Sequence, residues 1–132
     1  MQILPKSRRM KTLWQEALTD LQDIKQASPD LPPIAAQAAL FYAFQHAMFL
    51  GFKTLKAYLK EEGLIPLTPK QHLEMACQAG WISPQEEDAW WVLLMAWLEV
   101  GEVYEKEQAE RLAQQILQYD GVLLTLLQSL PQ

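Results

Sequence analysis

The chain has one cysteine, Cys77, and only two histidines, His46 and His72. A single cysteine cannot close an intrachain disulfide, and the donor set is too small for a Cys/His zinc site, so no metal is expected. The amino terminus lacks an apolar run of signal-peptide length, because LWQEALTDLQ alternates polar with apolar residues. With no disulfide framework either, a reducing cytoplasm is the expected setting. Basic charge is also scarce: 11 Lys and Arg stand against 16 Asp and Glu, a net charge of −5. A phosphate-backbone binder needs a basic face to release counterions, so direct nucleic-acid binding is not expected. Lys6, Arg8, Arg9 and Lys11 form the one local exception and read as a solvated first helical turn or tail. No segment alternates with a period of two for long enough to propose a sheet.

What is present is a chain of 132 residues, half of them hydrophobic and a fifth charged. That is too apolar for disorder and of the right length for one domain, residues 1–132, around a single core. Between Asp30 and Lys53 there is no charge over 22 residues. A run of that length must be tested as a membrane span, since about 20 apolar residues cross a bilayer. It contains Gln37, Gln45 and His46, opens with Pro32-Pro33, and its apolar register continues past it. Ile34, Ala38, Phe41, Met48, Phe52, Leu55 and Leu59 recur at three- and four-residue steps, interrupted at Gln45. The run therefore reads as the buried central helix of a bundle.

Punctuation divides the rest into helices. Leu13, Ala17, Leu21 and Ile24 share a face of a first helix that ends before SPDLPP, whose three prolines cannot continue it. The second helix runs from about Ile34 to Glu62, with Gly63 as its left-handed cap. Thr68-Pro69-Lys70-Gln71 predicts a capping box opening a short helix that Gly80 closes, and Ser83-Pro84-Gln85-Glu86 repeats the device. Glu86, Glu87 and Asp88 favour the positive end of the next helix, which continues through AWWVLLMAWLEV to Val100. A last helix spans Glu105 to Leu130, with Gly121 as a weak point. The expected fold is all-α: an antiparallel up-and-down bundle of four long helices plus one short one.

FQHAMFLGFKTLKAYLKEEG, then TPKQHLEMACQAGWI, an acidic helix start and a Trp-rich helix, resemble the nucleotidyltransferase substrate-binding branch of the HEPN superfamily. The resemblance covers about Phe41 to Ala109. It implies a helical bundle that homodimerises and partners a small nucleotidyltransferase, often as a toxin–antitoxin pair in which the bundle is a ribonuclease. Ribonuclease members share an Arg, then after four to six residues a His, commonly with a Tyr two positions on. Such chemistry needs a proton acceptor near neutrality and a fixed positive charge for the phosphate. Here the motif is degenerate. With Tyr104 on the family's tyrosine, Glu102 replaces the His, Trp97 replaces the Arg, and Leu98 fills the polar position beside it. Between Arg9 and Arg111 there is no arginine to supply a shifted register.

The expectation is thus a non-catalytic, nucleotidyltransferase-associated subunit, homodimeric and with no cofactor; Tyr104 matches the tyrosine that nucleotidylation modifies in toxin members and is its possible target, but with the catalytic pair absent it reads first as a structural tyrosine. Two alternatives stand beside it: a divergent metal-dependent ribonuclease using Glu102, and a purely structural dimer. Glu99, Glu102 and Glu105 read first as a solvated helix end, although Glu99 and Glu102 would share a face if the helix persisted through Gly101. Phe49, Phe52, Trp90, Trp91 and Trp97 could line a nucleobase pocket, but with Trp81 they read more readily as core or dimer seam. His46 reads as a core or interface histidine and His72 as surface.

Overall fold

A computed structural model describes residues 4–132. Helix α1 spans Lys6–Ala27, α2 Pro33–Glu61, α3 Pro69–Gln78, α4 Glu87–Val100, α5 Lys106–Tyr119 and α6 Gly121–Ser129. Short 3-10 turns occupy Ser28–Asp30 and Pro84–Glu86, and no strand occurs among the described residues. The all-α bundle expected from the periodicity is the observed fold. Among the described residues no helix is long and apolar enough to cross a membrane.

The expected stop signals act where they stand. Gly63 and Gly80 both adopt positive φ, 80° and 81°, the left-handed conformation that lets a helix end without a Cβ clash. Past Gly63 the Leu64 N–H returns to the Leu59 carbonyl, as in a Schellman ending. Thr68 Oγ1 accepts the Gln71 N–H at 3.1 Å, opening α3. The Gln71 side chain reaches past the cap to accept from Leu67 N–H, so this box is shifted by one residue. Ser83 and Glu86 make the full reciprocal box. It begins with the 3-10 turn, and α4 proper starts one residue later.

Pairwise contacts fix the helix directions. At one end of the α1/α2 pair Ser7 Oγ donates to Glu61 Oε1 at 2.7 Å, and at the other Asp20 and Ile24 adjoin Tyr42 and Ala43. Glu99 meets Gln108 and Arg111, so α4 and α5 form a second antiparallel pair. Phe52 against Trp97 near the end of α4, and Tyr58 against Trp81 in the connection that precedes α4, are consistent with α4 running antiparallel to α2. Central α2 touches α1, α3, α4 and α5.

Three details differ from the sequence reading. The buried seam of α1 is Ser7, Trp14, Ala17 and Leu21, whereas Leu13 is 45% exposed. Trp14 is fully buried because its ring lies against Gly51, where a Cβ would come within 3.0 Å of the indole. A glycine there lets α1 and α2 approach around so large a side chain without displacing its ring. On α2 the burial starts at Leu40, and Ile34 and Ala38 face outward. The final helix is divided at Asp120-Gly121 rather than continuous. There the Asp120 carboxylate pairs with Lys25 of α1 at 2.8 Å, and α6 turns its Leu123, Leu126 and Leu127 inward to pack on α1.

Candidate functional site at the end of α4

Helix α4 loses its last intrahelical bonds at Val100, and Gly101 and Glu102 form a turn whose Glu102 N–H donates to the Glu99 carbonyl at 2.8 Å. Because the helix stops there, Glu99 and Glu102 do not share a helical face. Gln108, from the first turns of α5, fastens the connection. Its Nε2 donates to Glu99 Oε1 at 3.0 Å and to the Glu102 carbonyl at 3.3 Å, while its Oε1 accepts the Tyr104 N–H at 3.1 Å. Arg111, one turn further along α5, completes the arrangement with an ion pair to Glu99. The Glu99 carboxyl is held below the ordinary carboxylate range, chiefly by the hydrogen bond from Arg111 and then by that from Gln108.

The three carboxylates therefore do not converge. Glu99 is committed to Gln108 and Arg111, and Glu102 and Glu105 are exposed in the turn. Among the described residues no three His, Cys, Asp or Glu side chains gather in a way that could hold a metal ion. Tyr104 projects into solvent with 87% of its surface exposed. It borders a groove of about 750 Å³ between the N-terminal ends of α2 and α5, lined also by Pro33, Ile34, Gln37, Val103 and Ala109. The phenol is thus exposed on a short loop whose backbone is tied down at its root by Gln108.

Trp97 fills its position as a packing residue. Its ring stacks on Phe52 at 5.0 Å and 8°, and Phe52 meets the His72 ring edge-on at 5.3 Å. A nucleobase sandwiched between Phe52 and Trp97 would need the two rings about 7 Å apart, two carbon–carbon contact gaps of about 3.5 Å. The other aromatic candidates are dispersed. Trp90 and Trp81 are buried in the core, Trp91 lies beside Met95 in a groove between α4 and α5, and Phe49 is half exposed with Lys53 Nζ 5.5 Å above its ring. Only Phe52 and Trp97 of the five pack directly on each other as a stacked pair.

Of the two readings of His46, the core one does not hold, and His72 is less exposed than expected. His46 is exposed, not in the core, and its ring lies parallel to that of Tyr42 at 6.3 Å. His72 is half-buried, not fully on the surface, and its Nδ1–H donates to the Thr68 carbonyl at 2.7 Å. Burial lowers its pKa against the raising effect of that bond, and Lys56 and Lys53 lower it further. Cys77 is raised to about 11, first by burial and then by the Glu87 carboxylate, so its thiol is no nucleophile at neutral pH.

Sequence reasoning did not identify Gln108 and Arg111. A signal existed: in an antiparallel pair joined by a short loop, residues equidistant from the loop centre face each other. Counting outward from Val103 pairs Glu99 with the turn containing Gln108 and reaches Arg111 one turn beyond.

No protein-family model matches the chain, and no curated protein matches it. Among solved structures, a protein from Thermus thermophilus is similar at a TM-score of 0.75, with 22% identity, over 88% of this chain and 99% of its own. At that identity the likeness is one of fold, a small all-helical bundle matched along almost its whole length.

Proposed function

We propose that this protein is a non-catalytic, homodimeric partner subunit of a small nucleotidyltransferase in a two-component, toxin–antitoxin-like system, with Tyr104 as the residue it presents for nucleotidylation. The observation that carries the reading is the occupation of the α4–α5 junction. Trp97, at the position of the family's arginine, is stacked against Phe52, and Glu102, at the position of its histidine, is exposed on a turn. Glu99 beside them is neutralised by Arg111. A scaffold that keeps the family's order of blocks while packing or pairing the residues at its catalytic positions suits recognition better than phosphodiester cleavage. The 87% exposure of Tyr104 on an anchored loop supports the modification role.

Co-expression with any small nucleotidyltransferase encoded beside it tests the reading. A stable complex is expected, and with a nucleoside triphosphate the enzyme should transfer one nucleotidyl group to the Tyr104 phenol oxygen with release of pyrophosphate, a modification that Tyr104→Phe abolishes. Failure to bind any such enzyme would count against the partner role. Metal-dependent RNA cleavage lost in Glu102→Ala would replace it with a nuclease.

A further inference from the structure

The connection between α2 and α3 inverts the usual order of a segment in water. Ile65 and Leu67 are 68% and 81% exposed, while Pro66 between them is buried. Loops ordinarily meet solvent with polar side chains, yet Gly63-Leu64-Ile65-Pro66-Leu67 has none. The segment is also tied at both ends. Leu64 N–H donates to the Leu59 carbonyl at 2.9 Å and Leu67 N–H to Gln71 Oε1 at 2.7 Å, and Pro66 fixes the backbone between them. Two aliphatic side chains are thus held out in water by an anchored backbone. Side chains so exposed stand proud of the surface rather than line a groove, and suit a partner soft enough to be entered.

Their surroundings are basic. Leu64 returns to Leu59, and His72 in the first turn of α3 meets Phe52, so the connection runs back along α2 past Lys60, Lys56 and Lys53, all exposed. Helix α1 flanks those lysines on the other side. Asp20 and Ile24 adjoin Tyr42 and His46, and three- and four-residue steps from there reach Leu13, Arg9 and Lys6 on α1 and Phe49, Lys53, Lys56 and Lys60 on α2. The Ser7–Glu61 bond puts Lys6 and Lys60 at the same level. A groove of about 490 Å³ lies here, lined by Leu4, Met10 and Leu13 together with Lys6 and Arg9. The α2 lysines therefore form a row with an apolar shoulder on each side.

Carboxylates on this face are concentrated away from the row. Asp20 and Asp23 stand at the far end beside Tyr42 and His46, with Glu16 one turn nearer. At the basic end are Glu61, engaged by Ser7 between the helices, Glu62 at the tip of α2, and Glu74 one turn beyond Lys70 on α3. Even counting all of these, Lys6, Arg9, Lys53, Lys56, Lys60 and Lys70 leave that end positive in a chain whose net charge is −5.

We propose that this end of the α1/α2 face is a peripheral docking surface for an anionic lipid bilayer. The lysine row meets the headgroups, while Leu4 and Leu13 on one shoulder and Ile65 and Leu67 on the other enter the acyl boundary. Clustered cations and protruding aliphatic side chains act together at such a boundary, each being weak alone. Nucleic acid offers the same negative charge, but single strands bind through aromatic faces on which bases stack. The exposed ring of this patch, Phe49, is instead covered by Lys53, whose Nζ lies 5.5 Å from its centroid. Asp20 and Asp23 are repelled by an anionic surface, so the protein stands on the carboxyl-terminal end of α2 rather than lying flat along that helix. Docking of this kind does not depend on the partner role proposed above.

Co-sedimentation of the full chain with vesicles tests the assignment. Vesicles of phosphatidylcholine mixed with phosphatidylglycerol should pellet the protein, and vesicles of phosphatidylcholine alone should not. Raising NaCl from about 0.1 M to about 1 M should release most of it, because the Debye length falls from about 10 Å to about 3 Å. Lys53→Glu with Lys56→Glu should lower partitioning by about 30-fold or more. Ile65→Ser with Leu67→Ser should lower it by about tenfold or more. Met95→Glu, on the exposed side of α4, should leave it unchanged. All five positions are exposed, so circular dichroism should show an unchanged helical fold in each variant.

Failure to bind the mixed vesicles, or equal binding to phosphatidylcholine alone, overturns the proposal. So does binding that survives loss of the Lys53/Lys56 pair or of Ile65 and Leu67. A wild type that ignores the vesicles but retards a short RNA through the same two lysines assigns the patch to nucleic acid, and the lipid surface falls.

Discussion

Trp14 and Gly51 show how closely one residue can depend on another. The indole fills the space between α1 and α2 completely, and its N–H has no acceptor among the described residues. Its loss to alanine would cost about 3–5 kcal/mol as a large core cavity. Gly51→Ala sets two effects against each other. Alanine favours a helix interior over glycine by up to about 1 kcal/mol, whereas overlap with a rigid, enclosed ring costs about 1–3 kcal/mol. The overlap wins, so a net loss of about 1 kcal/mol is expected in urea denaturation. The loss should shrink in a Trp14→Leu background, which removes the colliding atoms; additive effects would refute the coupling. His72 makes a pH prediction. Its pKa lies below the ordinary 6.5, so between those values the unfolded chain binds more protons than the folded one. Its stabilising contribution is whole above about 6.5 and is lost as pH falls through the folded value. An NMR titration should show His72 protonating at lower pH than an unstructured histidine. A normal or raised value would contradict the burial argument. Neither Trp14 as a seam residue nor the burial of His72 was legible in the sequence, because each depends on a side chain from another helix.

At the scale of elements, the endings written in short motifs form where they were expected. Gly63, Gly80, Thr68 and Ser83 act through bonds spanning three to six residues, so the information needed is local. The last helix is the exception. Gly121 alone marks a weakness, but the division occurs with Asp120 held by Lys25, distant in sequence and adjacent in space. The Asp120 side chain is only 9% exposed, so Lys25→Met strands a nearly buried carboxylate. The expected cost is about 1–3 kcal/mol, above the ~0–1 kcal/mol of a surface ion pair. Adding Asp120→Asn should recover part of the loss in thermal melts. If Lys25→Met were silent, α6 would owe its direction to leucine packing alone. The α4–α5 connection follows the same rule: Gly101 in the sequence marks a helix end, while Gln108 and Arg111 decide how the loop is held.

For the molecule as a whole, one hydrophobic cluster joins residues from α1 through α6, and central α2 contributes to nearly every part of it. A domain of this size with one shared core is expected to unfold in a single cooperative step. Tryptophan fluorescence, reporting Trp14, Trp81 and Trp90 in the core, and far-ultraviolet circular dichroism should give coincident urea transitions. Separated transitions would mean that the α1/α2 pair melts independently of α4 and α5. The sequence by itself determined the helical class and most helix ends, because periodicity and capping are properties of neighbouring residues. Only the tertiary structure decided that Trp97 is closed against Phe52, that Glu99 is neutralised by Arg111, and that Tyr104 stands in solvent. It likewise decided that the charge-free run buries one side and exposes a stripe on the other. Those outcomes depend on which helix faces meet, and that is set by packing the whole chain around one core.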